Sequence, residues 1–150
     1  MYRGANDVLA GNDEANSFDA YAGEDILAGR GGEDTLDGGL GDDTLDGGNG
    51  NDELRGADNA DRLTGGLGDD LLSGGFGADL FLFAAGDGHD TITDFQVGSD
   101  TLDIGGQTIE MQTEFDIDDN GSLDTRLILS SGDVIDLLEV EGVDAENLLF

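Results

Sequence analysis

Aspartate returns in one fixed phase through the first half of this chain. Asp7, Asp25, Asp34, Asp43, Asp52, Asp61, Asp70 and Asp79 lie nine or eighteen residues apart, and Asn16 fills the one gap. Aspartate is a short, hard oxygen donor, and carboxylates stacked at one spacing repel unless something positive lies between them. The pattern therefore points to cation binding rather than to acid–base catalysis. Calcium takes six to eight oxygens at about 2.3–2.6 Å in flexible geometry, which suits a mixed cage of carboxylates and carbonyls. Magnesium demands stricter octahedral geometry and keeps its waters, so it should substitute poorly. Zinc would want His or Cys, and the chain has one His and no Cys.

Elements with the same period must position these carboxylates. Cut every nine residues from Tyr2, residues 2–82 fall into nine units with no insertion, among them GRGGEDTLD, GGLGDDTLD and GGNGNDELR. Position eight is Leu9, Phe18, Leu27, Leu36, Leu45, Leu54, Leu63, Leu72 and Phe81, apolar throughout. The first six residues of a unit carry turn chemistry, because glycine tolerates positive φ and Asp accepts hydrogen bonds. The last three, as in Thr44-Leu45-Asp46, predict a short strand with one inward side chain. Two units make one coil, and successive coils stack as parallel strands about 4.8 Å apart. The position-eight residues of two sheets then meet as a thin core. Aspartates two units apart lie about one strand spacing from each other, close enough for a shared cation to turn repulsion into attraction.

Composition narrows the partners. The 150 residues carry 36 acids and five bases, a net charge of -31. Such a chain should not bind nucleic acid or an anionic membrane surface. Without a cation this composition predicts disorder. No apolar run is long enough to span a bilayer, so membrane insertion is not expected. The N-terminus lacks a basic segment followed by an apolar one, so no conventional signal peptide is expected. There are no cysteines, hence no disulfides. The motifs H-E-x-x-H, G-x-S-x-G and a phosphate-binding loop are all missing, and the chain is not expected to be an enzyme by itself.

Units 38–46, 47–55, 65–73 and 74–82 match G-G-x-G-x-D-x-U-x at every defined position. In this the chain resembles the RTX (repeats-in-toxin) proteins, whose calcium-binding nonapeptide this is. The resemblance covers slightly more than half the chain. It implies an all-β fold: a right-handed parallel β-roll, or β-helix, with calcium ions (Ca2+) in a row along each edge. One row would join Asp7, Asp25, Asp43, Asp61 and Asp79, and the other Asp34, Asp52 and Asp70. Turn carbonyls near Gly39, Gly41, Gly48, Gly50, Gly66, Gly68, Gly75 and Gly77 would complete the cages. The chain departs from the motif at Asn16, at Ala57 and Asn59, and at Ala5.

After Leu82 the register slips by two residues, and AGDGHDTIT (85–93) reads as a tenth unit that places Asp90 opposite Asp70. Residues 86–104 resemble the segment that follows the repeats in serralysin-type metalloproteases and related RTX proteins, where it leads into a β-rich cap. Residues 1–93 are therefore expected to form the roll, and 94–150 a β-rich C-terminal cap with the secretion signal. Alternation predicts strands near 91–95, 100–104, 107–111, 126–130 and 133–138, with one helical turn and a strand over 143–150. DIDDNGSLD (116–124) opens like an EF-hand loop and offers Asp116, Asp118, Asn120 and Asp124 as ligands, but Leu127 replaces the bidentate Glu. His89 reads as a surface residue rather than a catalytic one. Phe76, Phe81, Phe83 and Phe95 read as core between roll and cap.

The resemblance implies a calcium-dependent folding and export module, secreted from a Gram-negative bacterium by type I secretion machinery. The apolar tail Leu148-Leu149-Phe150 would form part of the signal. Two alternatives stand beside it. One is a module binding an alginate-like or other polysaccharide, and the other is the C-terminal fragment of a secreted metalloprotease or lipase.

Overall fold

The computed structural model describes residues 4–117 and 120–140. The expected helical turn and strand over 143–150, the tail Leu148-Leu149-Phe150 and Asp118 lie outside the described residues. The chain runs through β1 (Val8–Ala10), β2 (Ser17–Asp19), β3 (Ile26–Gly31), β4 (Thr35–Leu40), β5 (Thr44–Asn49), β6 (Glu53–Asp58), β7 (Arg62–Leu67), β8 (Leu71–Phe76), β9 (Leu80–Leu82), β10 (His89–Ile92), β11 (Thr101–Asp103), β12 (Ile109–Phe115), β13 (Asp124–Leu129) and β14 (Val134–Leu137). No helix occurs among the described residues.

Odd strands through β11 and even strands through β10 separate into two parallel arrays. One is ordered β1-β3-β5-β7-β9-β11, and the other runs β2-β4-β6-β8-β10 and continues through β14, β13 and β12. This is the β-roll expected from the repeat. Strand n pairs with strand n+2 in register, for example Leu27 with Leu45 and Leu45 with Leu63. Position-eight side chains from Leu27 to Phe81 are fully buried between the sheets. Phe83, Phe95, Ile92, Leu102, Leu127 and Ile135 continue that core into the cap. The residues after 93, expected to form the cap, extend both sheets. β11 extends one sheet, β14 joins β10 in parallel, and β13 pairs antiparallel with both β12 and β14. Ser130-Ser131-Gly132-Asp133 forms the hairpin between β13 and β14.

Three expectations need correction. Strands of the roll's middle coils are six residues long rather than three, running from position seven to position three of the next unit. The position-one glycine, expected in the turn, lies inside the strand, where the pairing register skips it. Phe76 is 78% exposed rather than core, because position three points outward at the sheet edge, whereas Phe81 and Phe95 stack 6.0 Å apart inside. His89 lies at the surface, with its side chain 43% exposed, but it has a buried partner. Its Nε2 lies 2.7 Å from Oδ2 of the buried Asp136, which also binds Arg126 through Nε and Nη2 at 2.6 Å each.

Candidate metal centre

Each position-six aspartate begins at the end of a turn and folds its side chain inward. One oxygen then meets a backbone donor from the coil below. Asp25 N–H donates to Asp43 Oδ1 at 2.7 Å, Asp43 N–H to Asp61 Oδ1 at 2.8 Å, and Asp61 N–H to Asp79 Oδ1 at 2.9 Å. The other row repeats this, from Asn16 N–H to Asp34, Asp34 to Asp52, Asp52 to Asp70 and Asp70 to Asp90. Asp7, half-buried in the first coil, donates its N–H to Asp25 Oδ1 at 2.6 Å. The predicted aspartates are thus gathered into two ladders. One oxygen of each is already engaged by a backbone N–H, which leaves the other for a cation.

The second oxygen is the chemically active one. Oδ2 of Asp25, Asp34, Asp43, Asp52, Asp61, Asp70 and Asp79 is buried with no hydrogen-bond partner. A buried, unpartnered carboxylate oxygen is costly unless a cation or a proton neutralises it. Burial, the main cause, pushes the Asp43 and Asp70 carboxyls up to about 6, Asp61 to about 7 and Asp90 to about 8. The N–H from the coil below pulls each of them down, and neighbouring carboxylates add to the rise. Asp52 and Asp79 shift the same way for the same reason.

Glycine at position one makes room for this oxygen. A Cβ on Gly47 would land on Asp52 Oδ2 and 2.7 Å from the Gly65 carbonyl oxygen. Gly29 has the same surroundings, with Asp34 Oδ2 and the Gly47 carbonyl. An orphaned carboxylate oxygen and a carbonyl oxygen from the next coil therefore share one small cradle. Position-four glycines add carbonyls: a Cβ on Gly41 would meet the Gly23 oxygen, and one on Gly50 the Gly32 oxygen. Among the described residues no three Asp, Glu, His or Cys side chains converge, so any cation here draws most of its oxygens from the backbone. Oxygen-only donors with one anionic oxygen per coil fit calcium. Of the glycines predicted to frame the cages, Gly41, Gly50, Gly68 and Gly77 sit in turns at positive φ. Gly39, Gly48, Gly66 and Gly75 also have positive φ but lie near the ends of strands.

Two features escaped the sequence. Asp100 continues the first ladder, accepting Asp79 N–H at 3.1 Å. The signal was present, since Asp100-Thr101-Leu102-Asp103 repeats Asp43-Thr44-Leu45-Asp46. An outer ladder also runs along position five, in the opposite direction: Asp69 N–H donates to Asn51 Oδ1 and Ala60 N–H to Asp42 Oδ1. Of the 116–124 candidates, the described Asp116, Asn120 and Asp124 accept backbone N–H groups. Asp116 accepts N–H groups of Asn120 and Gly121, Asn120 Oδ1 accepts from Ser122, and the fully buried Asp124 accepts from Ile117 and Glu139.

The RTX calcium-binding nonapeptide repeat (4 copies) matches the chain over 3–36, 21–54, 29–63, 46–81 and 55–92. No curated protein matches it. Among solved structures it is similar to the extracellular lipase LipA of Serratia marcescens, at 18% identity and a TM-score of 0.48, covering 98% of this chain and 39% of that one. It is also similar to the AlgE6R3 subunit of the Azotobacter vinelandii mannuronan C5-epimerase, at 23% identity and a TM-score of 0.43, covering 98% of this chain and 80% of that one. The chain thus spans about two fifths of the length of the lipase.

Proposed function

This chain belongs to the family of RTX calcium-binding nonapeptide repeats, and from that premise we propose that it is a calcium-responsive folding module of a secreted protein. The observation that carries the reading is the set of seven buried Oδ2 atoms with no partner. Bound calcium supplies the positive charge those oxygens need. The aspartate ladders, the position-one carbonyls and the position-four carbonyls hold it. Ladder carboxylates about one strand spacing apart repel by about 3–4 kcal/mol per pair at an effective dielectric near 20. Where free calcium is scarce, that repulsion and the net charge of -31 keep the chain open and threadable. Where calcium is abundant, binding free energy becomes folding free energy. This logic suits export through a type I secretion machinery from a Gram-negative cell, with the roll over 1–93 and the cap and export signal over 94–150.

A calcium titration of chelated protein, followed by far-ultraviolet circular dichroism with magnesium as control, tests this. A cooperative gain of β structure with calcium alone is expected. Full β structure in chelator at neutral pH would overturn the switch.

One observation favours a second reading. A groove of about 450 Å3 on the outer face is lined by Arg55, Asp58, Ser73, Phe76, Asp94 and Gln96. An exposed aromatic ring beside planar polar groups suits a sugar ring, and the charge of the chain favours a neutral glycan over a polyanion such as alginate. Titration with neutral oligosaccharides, with Phe76→Ala as control, separates the readings. Binding lost in that variant supports a glycan, and no binding removes it.

A further inference from the structure

The turn that ends the first ladder differs from every turn below it in that row. Among the described residues, the position-four carbonyls of Gly23, Gly32, Gly41, Gly50 and Asn59 receive no hydrogen bond. The corresponding carbonyl of Gly77 accepts one from Ser99 Oγ at 2.5 Å. The Gly75 carbonyl, two residues earlier, accepts from Gln96 Nε2 at 2.5 Å. Asp94 meets donors at the end of β8: Oδ1 accepts Gly74 N–H, and Oδ2 accepts Gly75 N–H and Ser73 Oγ. The last ladder carboxylate is different too. Asp100 Oδ1 accepts Asp79 N–H, as the pattern requires, but its Oδ2 accepts Gln96 N–H at 2.8 Å. Both oxygens are therefore engaged, and Asp100 is absent from the buried atoms without partners. The second row closes in a similar way, with Val134 N–H on the Gly88 carbonyl at 2.9 Å.

We infer that the 94–100 segment is a stopper for the cation row. Ser99 presents an O–H donor to the position-four carbonyl that lower turns leave open for a cation. Gln96 Nε2 takes the place that a backbone N–H holds on the position-two carbonyl below, as Leu40 N–H does on Tyr21, and Asp100 spends its second oxygen on its own turn. The row ends at Asp79. The Asp100 turn holds no ion, although DTLD at 100–103 copies the repeat. The physical reason is the parity of charge and donors. An open turn carbonyl facing a carboxylate with a free oxygen calls for a cation, whereas a carbonyl already bonded to a donor and facing a satisfied carboxylate attracts one less strongly. A cap built this way closes the open end of a solenoid without depending on the metal that the solenoid needs.

The inference rests on the calcium reading above, and the experiment separates the two. Bound ions are counted by native mass spectrometry of the whole chain at saturating calcium, for wild type, Asp61→Asn and Asp100→Asn. Asp61→Asn is expected to lose at least one ion. Asp100→Asn is expected to keep the wild-type number, because an Asn oxygen still accepts the Asp79 or Gln96 N–H. Loss of an ion in Asp100→Asn would overturn the stopper. A crystal structure of the calcium-loaded wild type decides the matter if that variant does not fold. Anomalous peaks in the turns below and none beside Asp100 support the stopper, and a peak beside Asp100 refutes it. A wild-type chain that binds no calcium at all would instead sink the family-level function.

Discussion

Buried carboxylates are treated in opposite ways in the two parts of this molecule. In the roll, seven aspartates each leave one buried oxygen without a partner. In the cap, Asp136 takes a two-pronged bond from Arg126 and a third from His89, Asp124 takes two backbone N–H groups, and Asp94 takes three donors. The same residue type is thus a demand for an external charge in one region and a closed internal bond in the other. Metal dependence is therefore local. It follows from how many donors the backbone and neighbouring side chains bring to each carboxylate, and acidity alone does not predict it.

The sharpest way to break that comparison is to remove the metal. In excess chelator at neutral pH the roll should lose its protection from hydrogen exchange, with the amides of Asp25, Asp43 and Asp61 exchanging first. One site at a ligand concentration of a hundred Kd contributes about 2.7 kcal/mol, so several sites together exceed the stability of an ordinary domain. Equal protection of those amides with and without chelator would mean that the orphaned oxygens are tolerated.

Acid should act with opposite sign on the two regions. Asp43 and Asp70 at about 6, Asp61 at about 7 and Asp90 at about 8 lie above their ordinary value of 3.8. A raised carboxyl stabilises the folded state below its unfolded pKa, and the gain is lost as pH rises through the folded value. Metal-free roll should therefore gain β structure on acidification from pH 8 to pH 5. Asp136 is held low, with burial raising it but Arg126 and His89 outweighing that. Its contribution is present above the unfolded value and lost as pH falls through the folded one. Circular dichroism in chelator between pH 3.5 and 8, read with cap-specific amide signals, should show the roll ordering as the solution is acidified and the cap loosening only at the acid extreme. A roll that loosens on acidification would contradict the proton–cation equivalence.

Much of this was legible in the repeat. The nine-residue phase of Leu27, Leu36 and Leu45 fixed the two sheets and the inward column, and the phase of Asp25, Asp34 and Asp43 fixed both ladders. What a linear pattern cannot encode is which acceptor a carboxylate spends on which donor. The bond from Asp43 N–H to Asp61 Oδ1 joins residues eighteen apart and appears only once the coils stack. Strand length was misjudged because Gly47 reads as a turn former, whereas its value is the empty place under Asp52. Asp100 was hidden by its spacing of twenty-one from Asp79 in place of eighteen. His89 and Asp136 are forty-seven residues apart, with no local signal to join them.

Single substitutions sharpen the contrast. Arg126→Ala strips the buried Asp136 of its two-pronged partner and should cost about 3–5 kcal/mol in thermal or denaturant unfolding, while leaving the number of bound calcium ions unchanged. Loss of ions in that variant would mean that cap and roll share one electrostatic unit. Gly47→Ala does the reverse. Its methyl group falls on Asp52 Oδ2 and crowds the Gly65 carbonyl, so the calcium midpoint should rise several-fold while metal-free behaviour stays the same. An unchanged midpoint would place the cation elsewhere.

The smallest effect concerns strain rather than charge. Ala57 has φ 87° and Asn59 φ 86°, where the full-motif units place glycine. An L-residue held in that region costs about 1–2 kcal/mol relative to a relaxed one, and asparagine less than alanine. Ala57→Gly removes the clash of Cβ with its own carbonyl but also loosens the unfolded chain, which returns part of the gain. The net stabilisation should be about 0.5–1 kcal/mol, visible as a small shift of the calcium midpoint to lower concentration. The effect belongs to the roll alone, because the turn around Asp61 closes only when its ladder forms. A shift of the same size in the metal-free cap would show instead that strain at residue 57 is transmitted through the shared sheets, and the division between a metal-dependent roll and a self-satisfied cap would have to be redrawn at β8.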